Sequence, residues 1–261
     1  MIRLDQVSKS YDGGRTWAVR GLDLHVAEGE VMVLLGESGC GKTSTLKMIN
    51  RLIEATRGRI EVAGEDVRDL DPVLLRRRVG YVFQRIGLFP HLTVGENVAV
   101  VPKLLGWEKP TIARRVDELL EMVALDPDAF RDRMPRNLSG GQQQRVGVAR
   151  ALAARSRLML MDEPFGALDP LTRASLQDEY RRIHRRLGLT SLMVTHDMTE
   201  ALLMADRIAC MRGGEIVQVG SPHALMTRPA DDFVRRLMET PKEQADRLEH
   251  IVQSDDGEAT G

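Results

Sequence analysis

An α/β fold is predicted, with a mainly parallel sheet, an antiparallel β portion at the amino end and a helical portion inserted midway. Three observations carry this prediction. Strand-like and helix-like stretches alternate along most of the chain, which implies parallel pairing through helical crossovers. Residues 31–35, Val31-Met32-Val33-Leu34-Leu35, are continuously apolar, as a central strand buried on both faces requires, and they run straight into a glycine-rich loop. From residue 90 to about 153 helical spacing recurs three times with no convincing strand between.

Taken in order, 2–7 and 22–26 alternate apolar and polar residues and read as half-buried strands. After the strand 31–35, a helix is predicted over 42–50, turning Leu46 and Ile49 toward the sheet. Further strands are predicted at 58–62 and 79–83, and helices at 93–105, 112–123 and 142–153. Strands return at 158–162, 192–195, 207–211 and 215–219, with a long helix over 171–187. Gly213-Gly214 reads as a hairpin turn between the last two strands. We therefore expect one domain over 1–240, with the helical subdomain at about 90–153 inserted. Residues 241–261 should hold a short helix near 248–252 and, from Ser254, an acidic disordered tail.

At 261 residues the chain can bury a full core. It is 43% hydrophobic and 29% charged, with a formal net charge of -1, so no global basic field is present to attract nucleic acid. Arg76-Arg77-Arg78 and the arginines at 181, 182, 185 and 186 read as solvated faces. No run approaches the roughly 20 apolar residues of a membrane span. The amino terminus reads directly as a strand, with no signal-peptide plan. Cys40 and Cys210 have no metal spacing and no disulfide framework. These features suggest a cytosolic protein whose membrane role, if any, comes through a partner.

Gly36-Glu37-Ser38-Gly39-Cys40-Gly41-Lys42-Thr43 fits G-x-x-x-x-G-K-[ST] between a strand and a helix, the plan of a phosphate-loop NTPase core. Its glycines let backbone N–H groups turn toward phosphate oxygens at a helix N-terminus. Lys42 should reach the β- and γ-phosphates of ATP, Thr43 should bind Mg²⁺, and Ser44 belongs with the phosphate-binding set. Residues 158–162 end in Asp162-Glu163. Asp162 suits a water-mediated Mg²⁺ contact, and Glu163 can orient or deprotonate an attacking water.

A second glycine motif, Leu138-Ser139-Gly140-Gly141-Gln142-Gln143-Gln144-Arg145, opens the helix predicted from 142. Ser139 is an N-cap, and with Gly140, Gly141 and Gln142 it gathers hydroxyl and backbone donors at a helix N-terminus. One chain already holds ATP in its own loop, so this second anion site serves the ATP of a partner copy.

Together these residues resemble the ATP-binding cassette family, from about Met1 to Met238. The resemblance implies further roles. Gln84 matches the glutamine that touches Mg²⁺ and relays nucleotide state to the helical subdomain. His196, in Thr195-His196-Asp197, matches the switch histidine of the γ-phosphate. Ala167-Leu168-Asp169 matches the loop that crosses the dimer interface, and Tyr11 stands where the family places an aromatic ring against adenine, with Trp17 competing for that role. Cys40 stands where serine is also common. Catalysis is expected from Glu163, His196 and Lys42, and metal binding from Thr43, Gln84 and Asp162. The active form is expected to be a head-to-tail, ATP-dependent dimer.

Gln84 to Trp107 is similar to the importer subfamily for glycine betaine, proline and related osmoprotectants, chiefly through Val100-Val101-Pro102-Lys103-Leu104-Leu105-Gly106-Trp107. That likeness implies integral membrane permease subunits, an extracytoplasmic solute-binding protein and a place on the cytoplasmic face of the plasma membrane. Larger members carry paired regulatory modules, and this reading expects the chain to lack them. Alternatives are an importer for another small solute such as an amino acid, and a soluble cassette acting on nucleic acid or ribosomes. The latter carries a long coiled coil or two cassettes per chain, and neither pattern occurs here.

Overall fold

In the computed structural model, which describes residues 1–84 and 87–239, the glycine loop lies at the carboxyl end of a strand at the centre of the larger of two sheets. The elements are β1 (Ile2–Lys9), β2 (Val19–Val26), β3 (Val31–Gly36), α1 (Lys42–Ile49), β4 (Arg57–Val62), β5 (Glu65–Asp66), α2 (Pro72–Arg78) and β6 (Val79–Val82). They continue with α3 (Val94–Leu104), α4 (Lys109–Met122), α5 (Pro127–Phe130), α6 (Gly140–Leu152), β7 (Leu158–Asp162) and α7 (Pro170–Leu187). Then come β8 (Thr190–Thr195), α8 (Met198–Met204), β9 (Arg207–Arg212), β10 (Glu215–Gly220) and α9 (Pro222–Thr227).

The large sheet has the order β10-β9-β3-β8-β7-β6. Its β9, β3, β8, β7 and β6 are parallel, and β10 returns antiparallel to β9. The expected hairpin is present: Gly213 and Gly214 both have positive φ, 59° and 89°, which a tight two-residue turn between twisted strands needs. All residues of β3, β7 and β8 are buried, matching their unbroken apolar runs. Alternate side chains divide between two cores. Val33, Leu35, Met159, Met161 and Met193 pack with the helical insertion and α7, while Met32, Leu34, Leu160 and Val194 pack with Leu46 and Ile49 of α1.

The smaller sheet, β2-β1-β4-β5, is antiparallel throughout. It shares the second core through Ile2, Leu4, Leu22 and Ile60. Between β6 and β7 the described residues hold only helices. Thr93 and Glu96 form a reciprocal capping box at the start of α3. Arg115 of α4 donates to the carbonyls of Leu152 (2.8 Å) and Ala153 (3.4 Å) at the end of α6, tying these helices together.

Several boundaries differ from expectation. β2 begins at Val19 and β8 at Thr190, and α4 starts at Lys109 because Pro110 occupies its first turn. The short elements β5, α2, α5, α8 and α9 were not expected. Arg76 is no solvated arginine: it donates to the backbone carbonyls of Asn50 (3.2 Å) and Arg51. Residues 232–239 are helical. The helix expected near 248–252 and the acidic tail lie outside the described residues.

Candidate functional site

Parallel strands end together, so β3, β8, β7 and β6 deliver their following loops to one edge of the sheet, where open α/β sheets bind ligands. Four of the chemical motifs are on that edge. Leu35 lies opposite Thr195, Asp162 opposite Val194, and Val82 opposite Met161. That register brings Gln84, Glu163 and His196 into one cluster. The Gln84 Nε2 donates to Glu163 Oε2 at 2.9 Å, and His196 Nδ1 is 3.1 Å from Glu163 Oε1. Glu163 holds a positive φ of 45°, and its amide donates to Val194 O at 3.0 Å. A non-glycine residue keeps that backbone only where its surroundings impose it.

The loop from Gly36 to Thr43 needs its glycines. A Cβ on Gly36 would lie 2.3 Å from Met211 O and 2.8 Å from Cys40 Sγ. One on Gly41, whose φ is +104°, would lie 2.4 Å from Ala18 O. No side chain caps α1, so its first amides remain available to an anion. Lys42, 5% exposed, folds back on the loop: its Nζ donates to Gly36 O (2.7 Å) and Glu37 O (2.9 Å). Thr43 Oγ1 donates to Asp162 Oδ1 at 2.9 Å. Burial pushes the Asp162 carboxyl above the usual carboxylate range, opposed by the Thr43 hydrogen bond and by Lys47.

This arrangement fits ATP with a small divalent cation. The loop offers an amide-lined, Cβ-free cradle for phosphate. Thr43 and Asp162 are hard oxygen donors already in contact, as Mg²⁺ prefers. Gln84 has its amide nitrogen on Glu163, which leaves its carbonyl oxygen for a cation.

Tyr11 is 63% exposed, its hydroxyl 3.0 Å from Ser44 Oγ and the Lys9 ammonium 4.9 Å from its ring centre. Trp17 instead packs against the Arg57 guanidinium at 5.1 Å. The structure thus brings Tyr11, and not Trp17, to the helix that follows the phosphate loop.

Ser139 caps α6 in a reciprocal box: Gln142 N donates to Ser139 Oγ (3.3 Å), and Ser139 N donates to Gln142 Oε1 (3.0 Å). Ser139 and Gly140 are exposed, and a Cβ on Gly140 would meet nothing within 4 Å. A Cβ on Gly141 would lie 2.4 Å from Thr172 Cγ2, so that glycine lets α6 approach the start of α7. Among the described residues no hydrogen bond joins this cap to the phosphate loop. Ala167 is exposed, and Asp169 caps α7 through Thr172 N at 3.0 Å. The Thr172 side-chain and backbone hydrogen bonds hold the Asp169 carboxyl below the usual range.

Sequence reading missed Arg173, which reaches both the Leu168 carbonyl and Asp197, and buried Glu200, which accepts from Gln177 Nε2 at 3.2 Å. Neither belongs to a recognisable short motif. The one local signal was Asp197 as an N-cap, with Glu200 three residues on.

Cys40 lines the loop, 6% exposed, with its Sγ 3.7 Å from Lys42 Nζ. An adduct on this thiol has no room beside Gly36 and must displace the loop. We expect complete labelling with N-ethylmaleimide to abolish ATP binding, and bound ATP to slow labelling. Quantified alkylation alongside a nucleotide-binding titration checks this; unaltered binding at full labelling refutes it.

A family profile described as ABC transporter matches residues 19–166. The glycine betaine/carnitine/choline transport ATP-binding protein OpuCA of Bacillus subtilis (strain 168) is 54% identical over 238 residues, covering 91% of this chain and 62% of that protein. The chain thus spans somewhat less than two thirds of that relative's length. The glycine betaine uptake system ATP-binding protein YehX of Escherichia coli (strain K12) is 54% identical over 237 residues, 91% of this chain and 76% of that protein. Among solved structures, the dimeric post-hydrolysis state of the ATP-binding cassette MJ0796 bound to ADP and Pi aligns with a TM-score of 0.76. It is 34% identical and covers 85% of this chain and 99% of that one.

Proposed function

This chain belongs to the ABC transporter family, and we propose that it is the ATP-hydrolysing subunit of a membrane importer for a small osmoprotectant such as glycine betaine, choline or proline. The observation that carries the ATPase reading is the meeting of Gln84, Glu163 and His196 on one edge of the sheet, beside Thr43 and Asp162. In this reading the amides of 36–43 and Lys42 hold the phosphates, and Tyr11 stacks on the base. Thr43, Asp162 and Gln84 hold Mg²⁺, which when bound neutralises charge on the phosphate oxygens.

Glu163 orients the attacking water and takes its proton. His196, beside Glu163, contacts the γ-phosphate, and Gln84 carries the state of the site toward the helical insertion. Positioning and fixed charge supply most of the acceleration, as phosphoryl transfer requires. The exposed Ser139 cap finds no anion in its own chain, so it closes over the ATP of a second copy. The dimeric state of the MJ0796 cassette supports this arrangement.

The permease contact is proposed at a groove of about 470 Å³ next to Gln84, lined by Leu52, Tyr81, Phe83, Phe89, Val100 and Val101. Phe83, Phe89 and Leu52 are each more than 40% exposed. An amphipathic helix of a membrane subunit would cover the apolar rings. No described helix of this chain is long and apolar enough to cross a membrane. The importer reading, drawn from relatives such as OpuCA and YehX, places the chain against its permease on the cytoplasmic face.

Betaine and choline as cargo rest on OpuCA and YehX, and proline on the resemblance of residues 84–107, since the ATPase itself does not touch solute. The test is reconstitution of the full chain in proteoliposomes with the permease and solute-binding protein that copurify with it. ATP-dependent uptake of labelled betaine, choline or proline is expected. Uptake of amino acids outside this set, with none of these three, replaces the cargo, and ATP hydrolysis stimulated only by nucleic acid or ribosomes replaces the class.

A further inference from the structure

Arg173 stands four residues after the Asp169 cap, in the first turns of α7, where the positive end of the helix dipole disfavours a cation. Local helix physics therefore gives no reason for it. Its fork reaches two separate segments. Nη2 donates to Leu168 O at 3.1 Å, and Nη1 donates to Asp197 Oδ2 at 3.2 Å. Asp197 uses its other oxygen to cap α8, accepting from Glu200 N at 3.0 Å, and its own amide donates to Thr195 Oγ1 at 3.0 Å.

These bonds close a ring around Glu163. Gly166 N donates to Glu163 O and Leu168 N to Phe165 O, which builds the turn that ends at the Leu168 carbonyl. Arg173 spans from that carbonyl to Asp197. His196, the next residue back, returns to Glu163 Oε1 at 3.1 Å. The left-handed backbone of Glu163 has to be imposed from outside, and this ring is what encloses it.

We infer that Arg173 is a positioning residue for ATP hydrolysis: through Leu168 O and Asp197 it locks the turn after Glu163 to the segment carrying His196. The inference rests on the reading of Glu163 and His196 given above. A purely stabilising role fits the observations less well. The Arg173 and Asp197 side chains are 30% and 35% exposed, a setting in which an ion pair adds little to stability, and the Arg173 Nε is buried without a partner.

The test compares Arg173→Met, Arg173→Lys, Asp197→Asn and the Arg173→Met/Asp197→Asn double variant in the full chain, by steady-state ATPase kinetics, nucleotide binding and thermal melting. Asparagine keeps the α8 cap and removes only the charge. Arg173→Met and Asp197→Asn should each lower kcat roughly tenfold or more, with ATP affinity unchanged within about twofold. The double variant should be no worse than the poorer single, because both break one link. Lysine, a point charge without the span of the guanidinium fork, should restore part of kcat.

Losses that multiply in the double variant overturn the inference. So does a kcat loss that follows the fall in Tm and vanishes on cooling. Glu163→Gln is run in parallel: if its turnover is normal, the assignment of Glu163 fails, while the double-variant comparison still reports whether Arg173 and Asp197 act together.

Discussion

Glu163→Gln is expected to cut ATP turnover by about 10²–10⁴-fold while leaving ATP binding intact. The change is isosteric and removes only the charge. Neither the positive φ of residue 163 nor its amide bond to Val194 O depends on the carboxylate. A glutamine there can still meet Gln84 and His196 through its own amide. What it cannot do is accept a proton from water, and that step has no second base in the cluster. Asp162 is committed to Thr43 and lies on the cation side of the site. His196, 60% exposed, is held by Glu163 itself. With binding preserved and hydrolysis blocked, nucleotide accumulates as ATP and the closed dimer persists. Phosphate release, fluorescent-nucleotide titration and light scattering with and without ATP measure the three consequences. Turnover near the unmodified rate removes Glu163 as the base.

The phosphate loop was legible because its geometry is local. Eight contiguous residues fix where Cβ atoms are forbidden, and the structure shows Gly36 and Gly41 against backbone oxygens, as that motif requires. The Ser139 cap was legible for the same reason, since a capping box spans only four residues. Continuous apolar runs announced β3 and β7, although their order in the sheet is a property of the whole fold. That order, β8-β7-β6, is what unites Gln84, Glu163 and His196 from three distant loops. For Gln84 and His196 the reading came through family resemblance rather than spacing, whereas Glu163 was legible from the carboxylate pair that ends β7.

The short helices α2, α5 and α9 have too few turns for a hydrophobic period to register. Each nevertheless begins with a cap and a proline, Asp71-Pro72, Asp126-Pro127 and Ser221-Pro222, a start signal that outweighs missing periodicity. Arg76 and Arg173 were illegible for another reason. Their partners are mostly backbone carbonyls, which carry no sequence identity, so a run of arginines looks solvated until the fold supplies acceptors.

Ser139→Arg is expected to leave ATP binding unchanged, abolish ATP-dependent dimerisation and lower turnover by about 10²-fold or more. Two effects of the substitution must be separated. Loss of the N-cap costs the protein about 1 kcal/mol, a modest sum that Ser139→Ala shares. The larger effect belongs to the arginine stem. It fills the open space over Gly140, where a Cβ meets nothing, and so blocks approach of the partner's phosphate to the α6 amides. A guanidinium is attracted to phosphate, but its donors lie several bonds out from the helix end, and it can satisfy that charge only by holding the two copies apart. Ser139→Ala should accordingly dimerise with reduced turnover, and Ser139→Arg should not dimerise at all. Sedimentation of each variant on the Glu163→Gln background, where closure is not undone by hydrolysis, reads this directly. If Ser139→Arg forms the ATP-dependent dimer at the unmodified concentration range, each copy completes its own site, and the α6 cap is a structural helix start and nothing more.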